Sequence, residues 1–100
     1  MPVYPKSKMD TYSVRGGPER SECDVNIGNG TISISYREGT GVVFYKGEEI
    51  QPGHFKLKAE STNRIVNSTA TLHQFHGEDV LEGSWLEEGY IGMWRILLTH

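Results

Sequence analysis

Between Thr31 and Arg37 apolar and polar residues alternate without a break: Ile32, Ile34 and Tyr36 fall on one side, and Thr31, Ser33, Ser35 and Arg37 on the other. A period of two is that of a half-buried strand. His54–Glu60 repeats the pattern, with Phe55, Leu57 and Ala59 on the apolar side. Less regular stretches at Asp10–Arg15, Glu22–Ile27, Val42–Lys46, Thr69–His76, Val80–Glu87 and Tyr90–Leu98 bring the expected strands to about eight. Arg15-Gly16-Gly17-Pro18, Gly28-Asn29-Gly30 and Glu38-Gly39-Thr40-Gly41 read as turns, and Gly47–Gly53 as a longer connection. Ser61–Asn67 reads as a polar link with room for one helical turn. No stretch sustains a helical period. Residues 1–9, with two prolines and two lysines, read as a flexible arm, leaving residues 10–100 as a single domain.

Connections this short suit neighbouring antiparallel strands, and closing the series removes its exposed edges. The expected fold is therefore all-β: a single antiparallel meander forming a small eight-stranded barrel, with a strongly curled open sheet as the alternative. Symmetric closure of the turn after Glu38 sets Tyr36 opposite Val43 and Ile34 opposite Tyr45. In the last hairpin, pairing about Glu88-Gly89 sets Trp85 opposite Gly92, Trp94 opposite Gly83, Leu81 opposite Ile96 and Glu82 opposite Arg95. Each indole then lies over a glycine that has no side chain of its own. Leu81, Trp85, Tyr90, Trp94, Ile96 and Leu98 are expected to face the core. Val80, Leu86, Ile91, Met93 and Leu97 would form an outer face more apolar than water requires, covered by the arm or by a second subunit.

The two Gly-x-Trp units Gly83-Ser84-Trp85 and Gly92-Met93-Trp94, with Arg95 beside the second, resemble the Gly-x-Trp and arginine of calycin-type barrels, the lipocalin and avidin group. The likeness covers about the last third of the chain and implies a small ligand-binding β-barrel. In lipocalins the Gly-x-Trp stands on the first strand and the arginine on the last. Here both stand at the C-terminal end, so a deep cup is not implied. Ala70-Thr71-Leu72-His73, followed by Leu81-Glu82-Gly83-Ser84-Trp85 and Gly92-Met93-Trp94-Arg95-Ile96, is also similar to the tails of small uncharacterised bacterial proteins.

Composition agrees with the strands: twelve glycines and only two alanines, Ala59 and Ala70, disfavour long helices. A net charge of −3 with ten scattered basic residues speaks against nucleic acid as a partner. No apolar run has the length of a membrane-spanning helix, so no membrane partner is expected. The start of the chain lacks the apolar core of a secretory signal, and Cys23 is the single cysteine, which together suggest a cytoplasmic protein.

Candidate chemistry is sparse. His73 and His76 stand three apart, which on a strand places them on opposite faces, so no metal site is assigned. Cys23 follows Glu22 and precedes Asp24, and a reactive thiolate has no support there. An enzyme would have to use His73 with Glu82, for which no pocket is evident, so no catalytic residue and no cofactor is assigned. The acidic residues Glu78, Asp79, Glu82, Glu87 and Glu88 read as a solvated end of a sheet. The leading expectation is a non-catalytic module for a small apolar or aromatic molecule. Tyr36, Tyr45, Phe55, Trp85, Tyr90 and Trp94 would line its shallow pocket, with His73 and Arg95 in the same set. The alternative is a protein–protein or homodimeric contact through Val80, Leu86, Ile91 and Met93.

Overall fold

The computed structural model describes residues 3–13, 16–38, 41–61, 68–87 and 89–99. They form eight strands: β1 (Val3–Ser13), β2 (Gly16–Gly28), β3 (Thr31–Glu38), β4 (Gly41–Gln51), β5 (His54–Ser61), β6 (Ser68–His73), β7 (Val80–Glu87) and β8 (Tyr90–Leu97). Each strand pairs antiparallel with the next, and β8 pairs with β1, so the meander closes into a barrel. The expected closed fold is present, and the open sheet is not. Closure runs from Lys8↔Leu97 to Ser13↔Gly92.

Every pairing anticipated from the sequence is present. Tyr36 faces Val43 and Ile34 faces Tyr45 across β3 and β4. Trp85↔Gly92, Gly83↔Trp94, Leu81↔Ile96 and Glu82↔Arg95 stand in register across β7 and β8. Asn29 and Gly30 both have positive φ (54° and 76°), the conformation a tight Asn-Gly hairpin requires.

Four boundaries differ from expectation. The arm is, from Val3 on, part of β1, which hydrogen-bonds to β2 on one side and β8 on the other. Its lysines and Pro5 disguise the strand, and the register breaks between Tyr4 and Ser7. There Lys6 adopts a φ of 53° and the Asp24 carboxylate accepts its backbone N–H at 3.0 Å. The turn at Arg15–Pro18 is instead mostly strand, since β2 begins at Gly16. The connection Gly47–Gly53 is largely strand too: β4 continues to Gln51, and the chain reverses at Pro52 and Gly53. β6 stops at His73, short of His76, which already lies in the turn. The expected link Ser61–Asn67 lies outside the described residues beyond Ser61.

Alternation fills the interior. Met9, Cys23, Val25, Ile32, Ile34, Tyr45, Phe55, Leu57, Ala70, Leu72, Leu81, Trp94, Ile96 and Leu98 are buried. Trp94 is 3% exposed, and Trp85 is partly buried against the same cluster. Tyr90 departs from expectation. It shares the inward alternation of β8 but is 55% exposed, because the core ends one row below it at Trp85↔Gly92. Among buried polar groups, the Ser7 hydroxyl donates to the Tyr4 carbonyl and accepts the Thr99 N–H at 3.2 Å, joining β1 to the segment after β8.

Three glycines let the strands approach closely. A Cβ on Gly83 would lie 1.7 Å from the Thr71 carbonyl oxygen, and one on Gly47 would lie 1.9 Å from that of Lys56. A Cβ on Gly92 would meet both the Trp85 ring at 2.0 Å and the Tyr12 carbonyl oxygen at 2.4 Å. Each obstructing carbonyl belongs to the residue just before the glycine's cross-strand partner. Such glycine kinks are how a small sheet turns a barrel corner. Gly83→Ala is therefore expected to cost about 3 kcal/mol of stability by urea unfolding, as overpacking against backbone does. Thr69→Ala, at an exposed neighbouring position, should stay within about 0.5 kcal/mol of the parent.

Cys23 is 3% exposed, and burial, with a smaller contribution from Asp24, pushes its thiol up from 9.0 to about 12. The folded chain thus holds this proton more tightly than the unfolded one. The resulting stabilisation is complete below pH 9 and declines as pH rises from 9 toward 12. In that window the thiol's share of the slope approaches about 1.4 kcal/mol per pH unit. Cys23→Ala should flatten this alkaline decline, as seen in urea midpoints at successive pH values.

Candidate functional site

At the barrel end that carries the β3–β4, β5–β6 and β7–β8 connections, the apolar interior gives way to a polar rim. Tyr36, Val43, Ala59 and Trp85 stand there, partly buried and packed on the core. Tyr45 lies beneath them, fully buried, with its ring edge-on to Trp94 at 5.2 Å. The Tyr45 hydroxyl reaches toward the rim and donates to Glu87 Oε1 at 2.7 Å. Burial first, then this hydrogen bond and the charge of Glu87, hold the phenol well above its ordinary range, so it stays a donor at physiological pH. Trp94 forms the floor, its indole N–H donating to the Thr71 carbonyl at 3.2 Å.

Ser68 stands directly across from Glu87. Its side chain is enclosed, the residue being 2% exposed, yet its hydroxyl has no hydrogen-bond partner among the described residues. It lies near enough to Tyr45 to ease the phenol's ionisation slightly, without a hydrogen bond of good geometry. A buried hydroxyl without a partner costs about 1–3 kcal/mol. Glu87 and Tyr90 complete the rim as a cross-strand pair. The arrangement offers aromatic walls, a carboxylate acceptor and a hydroxyl that has no hydrogen-bond partner among the described residues.

The sequence-predicted ligand set divides in three. Tyr36, Trp85 and Tyr90 ring this mouth, with Tyr45 directly below. Phe55 and Trp94 are core: Phe55 pairs with Leu72 toward the opposite rim and is 2% exposed. His73 and Arg95 point outward and line an open groove of about 450 Å³ on the barrel wall with Phe75, Glu78 and Met93. Their outward position follows from the alternation that buries Leu72 and Trp94 beside them. Ser68 and Glu87 were missed. In sequence Glu87 reads as one of an acidic cluster at a solvated sheet end, but β7 carries it to the mouth while Glu78 and Asp79 remain beyond the other end of that strand. Glu88 lies outside the described residues.

The predicted interface residues lie on the outer wall. Leu86, Ile91 and Met93 are 44%, 61% and 60% exposed, while Val80 is half-buried. From Val3 on, the N-terminal segment does not cover them, because β1 lies beside β8 in the sheet rather than over it. Leu86 and Ile91 border a wider groove of about 790 Å³ whose far side carries Lys46, Lys56 and Lys58.

Around the same wall, directly opposed side chains form a polar ladder: Arg20, Asp10, Arg95, Glu82, His73 and His54. Arg20 grips Asp10 through two hydrogen bonds of 2.8 and 3.1 Å and holds its carboxyl below the usual range. Glu82 and Arg95 are 4.0 Å apart and more than half exposed, so the pair is worth about 0–1 kcal/mol. His73 and Glu82 share this open surface, without the enclosure that general acid–base work uses. Among the described residues no three histidine, cysteine, aspartate or glutamate side chains gather as a metal-binding set. No family model matches this chain, and no curated protein or solved structure is significantly similar to it.

Proposed function

We propose that this barrel is a non-catalytic binding module that takes a small aromatic or apolar molecule carrying a hydrogen-bond donor. The ligand sits at the mouth between Tyr36, Trp85 and Tyr90. Its donor, an amine or similar group, meets Glu87 and the Ser68 hydroxyl. The observation that carries this reading is the enclosed Ser68 hydroxyl, without a hydrogen-bond partner among the described residues, beside the Glu87 carboxylate. Stable folds seldom leave such a group orphaned without a use for it. Partly exposed aromatic walls favour a planar or cationic guest. Because Tyr45 and Trp94 fill the floor, the site is shallow and the guest small. The likeness of the last hairpin to calycin-type barrels supports a ligand-binding role, and the lone buried thiol suits a reducing cytoplasm.

Titration with 2-naphthylmethylamine, followed by tryptophan fluorescence, should give saturable one-to-one quenching. Matched 2-naphthoate should bind more weakly. Ser68→Ala is expected to raise the stability of the free protein by about 1 kcal/mol while weakening amine binding roughly fivefold or more. Absence of saturable quenching by either probe would overturn the proposal.

A second reading, self-association through Val80, Leu86, Ile91 and Met93, is favoured by the exposure of the last three. It expects a dimer in sedimentation velocity that Ile91→Glu dissociates; a monomer at millimolar concentration removes it.

A further inference from the structure

We propose that His54 and His73 form an open two-nitrogen site for a divalent transition ion of the Cu2+ or Ni2+ type, on the outer wall and independent of the mouth. The two residues are direct cross-strand partners on β5 and β6. Their Nδ1 atoms lie 2.8 Å apart, with the rings edge-to-face at 4.9 Å and an interplanar angle of 74°. Both rings are exposed, so an ion reaches them without any opening of the fold.

The nitrogens already stand close to the spacing that one ion requires. Two imidazole nitrogens bound at about 2.0–2.1 Å are about 2.9 Å apart when they subtend a right angle, and about 3.3 Å apart at the tetrahedral angle. The 2.8 Å set by the hydrogen bond lies nearer the first value, so adjacent corners of a square-planar or octahedral ion ask the smaller movement of the rings. Tetragonal nitrogen and oxygen sets are the preference of Cu2+ and Ni2+, which also stand high in general affinity for such ligands.

The proton balance is simple. Without an ion, one Nδ1–H donates to the other Nδ1. When an ion enters, the donating ring carries its proton on Nε2 instead, so both Nδ1 lone pairs are free and no proton need leave. Water fills the ion's remaining positions, since among the described residues no third histidine, cysteine, aspartate or glutamate side chain gathers with the pair.

The histidines stand nineteen positions apart in the chain, and only the β5–β6 register joins them. The unfolded chain therefore lacks the pair, and binding must stabilise the fold. The test uses the full chain and Ni2+ as probe, with thermal unfolding and calorimetric titration read together. Expected are one-to-one binding and a rise in Tm of about 5 °C at saturation. Either His54→Ala or His73→Ala should abolish the rise and weaken binding about tenfold or more, with His76→Ala as the unaffected control. Cu2+ in place of Ni2+ should show hyperfine coupling to two nitrogens by electron paramagnetic resonance. Absence of a Tm rise, or a rise that survives both single substitutions, or one lost in His76→Ala, overturns the site.

Discussion

An eight-stranded barrel this narrow has to bend its strands more sharply than ordinary residues permit, and the approach of Gly47, Gly83 and Gly92 to neighbouring carbonyls is how it does so. Each glycine sits where a Cβ would fall inside the van der Waals shell of the next strand's backbone. Removing that one atom lets the wall fold inward and brings the two indoles close to the opposite strands. Trp94 can then donate to Thr71 and lie against Tyr45. Trp85 covers Gly92, and its indole N–H donates to the Met93 carbonyl at 3.3 Å. Core, closure and mouth all follow from that curvature, since a flatter wall would part β1 from β8.

How much of this was legible in the residues depends on the distance over which they act. The alternation in Thr31–Arg37 and His54–Glu60 gave the inward faces directly, because a period of two admits one assignment per strand. The register of the last hairpin was equally plain, because only one pairing puts both tryptophans over glycines. β1 was hidden from Val3 to Met9 because a bulge at Lys6 interrupts its alternation, and bulges leave no periodic trace. The end of β4 was hidden for a related reason: Gly47 and the register shift near Gln51 look like a loop when read in one dimension.

The two places where chemistry gathers were the least legible. Tyr45 and Glu87 are forty-two residues apart, and His54 and His73 nineteen. Neither pair shares a hairpin that could be set from a recognisable tight turn. Tyr45 meets Glu87 only through the accumulated register of β4 to β7, and His54 meets His73 through the single β5–β6 register, which a long connection leaves unset. The hydroxyl of Ser68 is more elusive still, for its interest lies in a missing partner, which no local pattern encodes. A signal was nonetheless present: a serine opening a strand whose next two inward residues, Ala70 and Leu72, are apolar.

Ser7 has a bearing on how the module can be joined to anything else. Its hydroxyl ties the Tyr4 carbonyl to the Thr99 amide, and the Thr99 hydroxyl in turn donates to the Pro5 carbonyl at 2.6 Å. Both extremities of the barrel are thus stitched side by side at the rim away from Tyr36, Trp85 and Glu87. A tether attached at either terminus, or a host protein interrupted to receive the whole unit between two adjacent residues, would meet it at this hem. The opposite opening would still face outward.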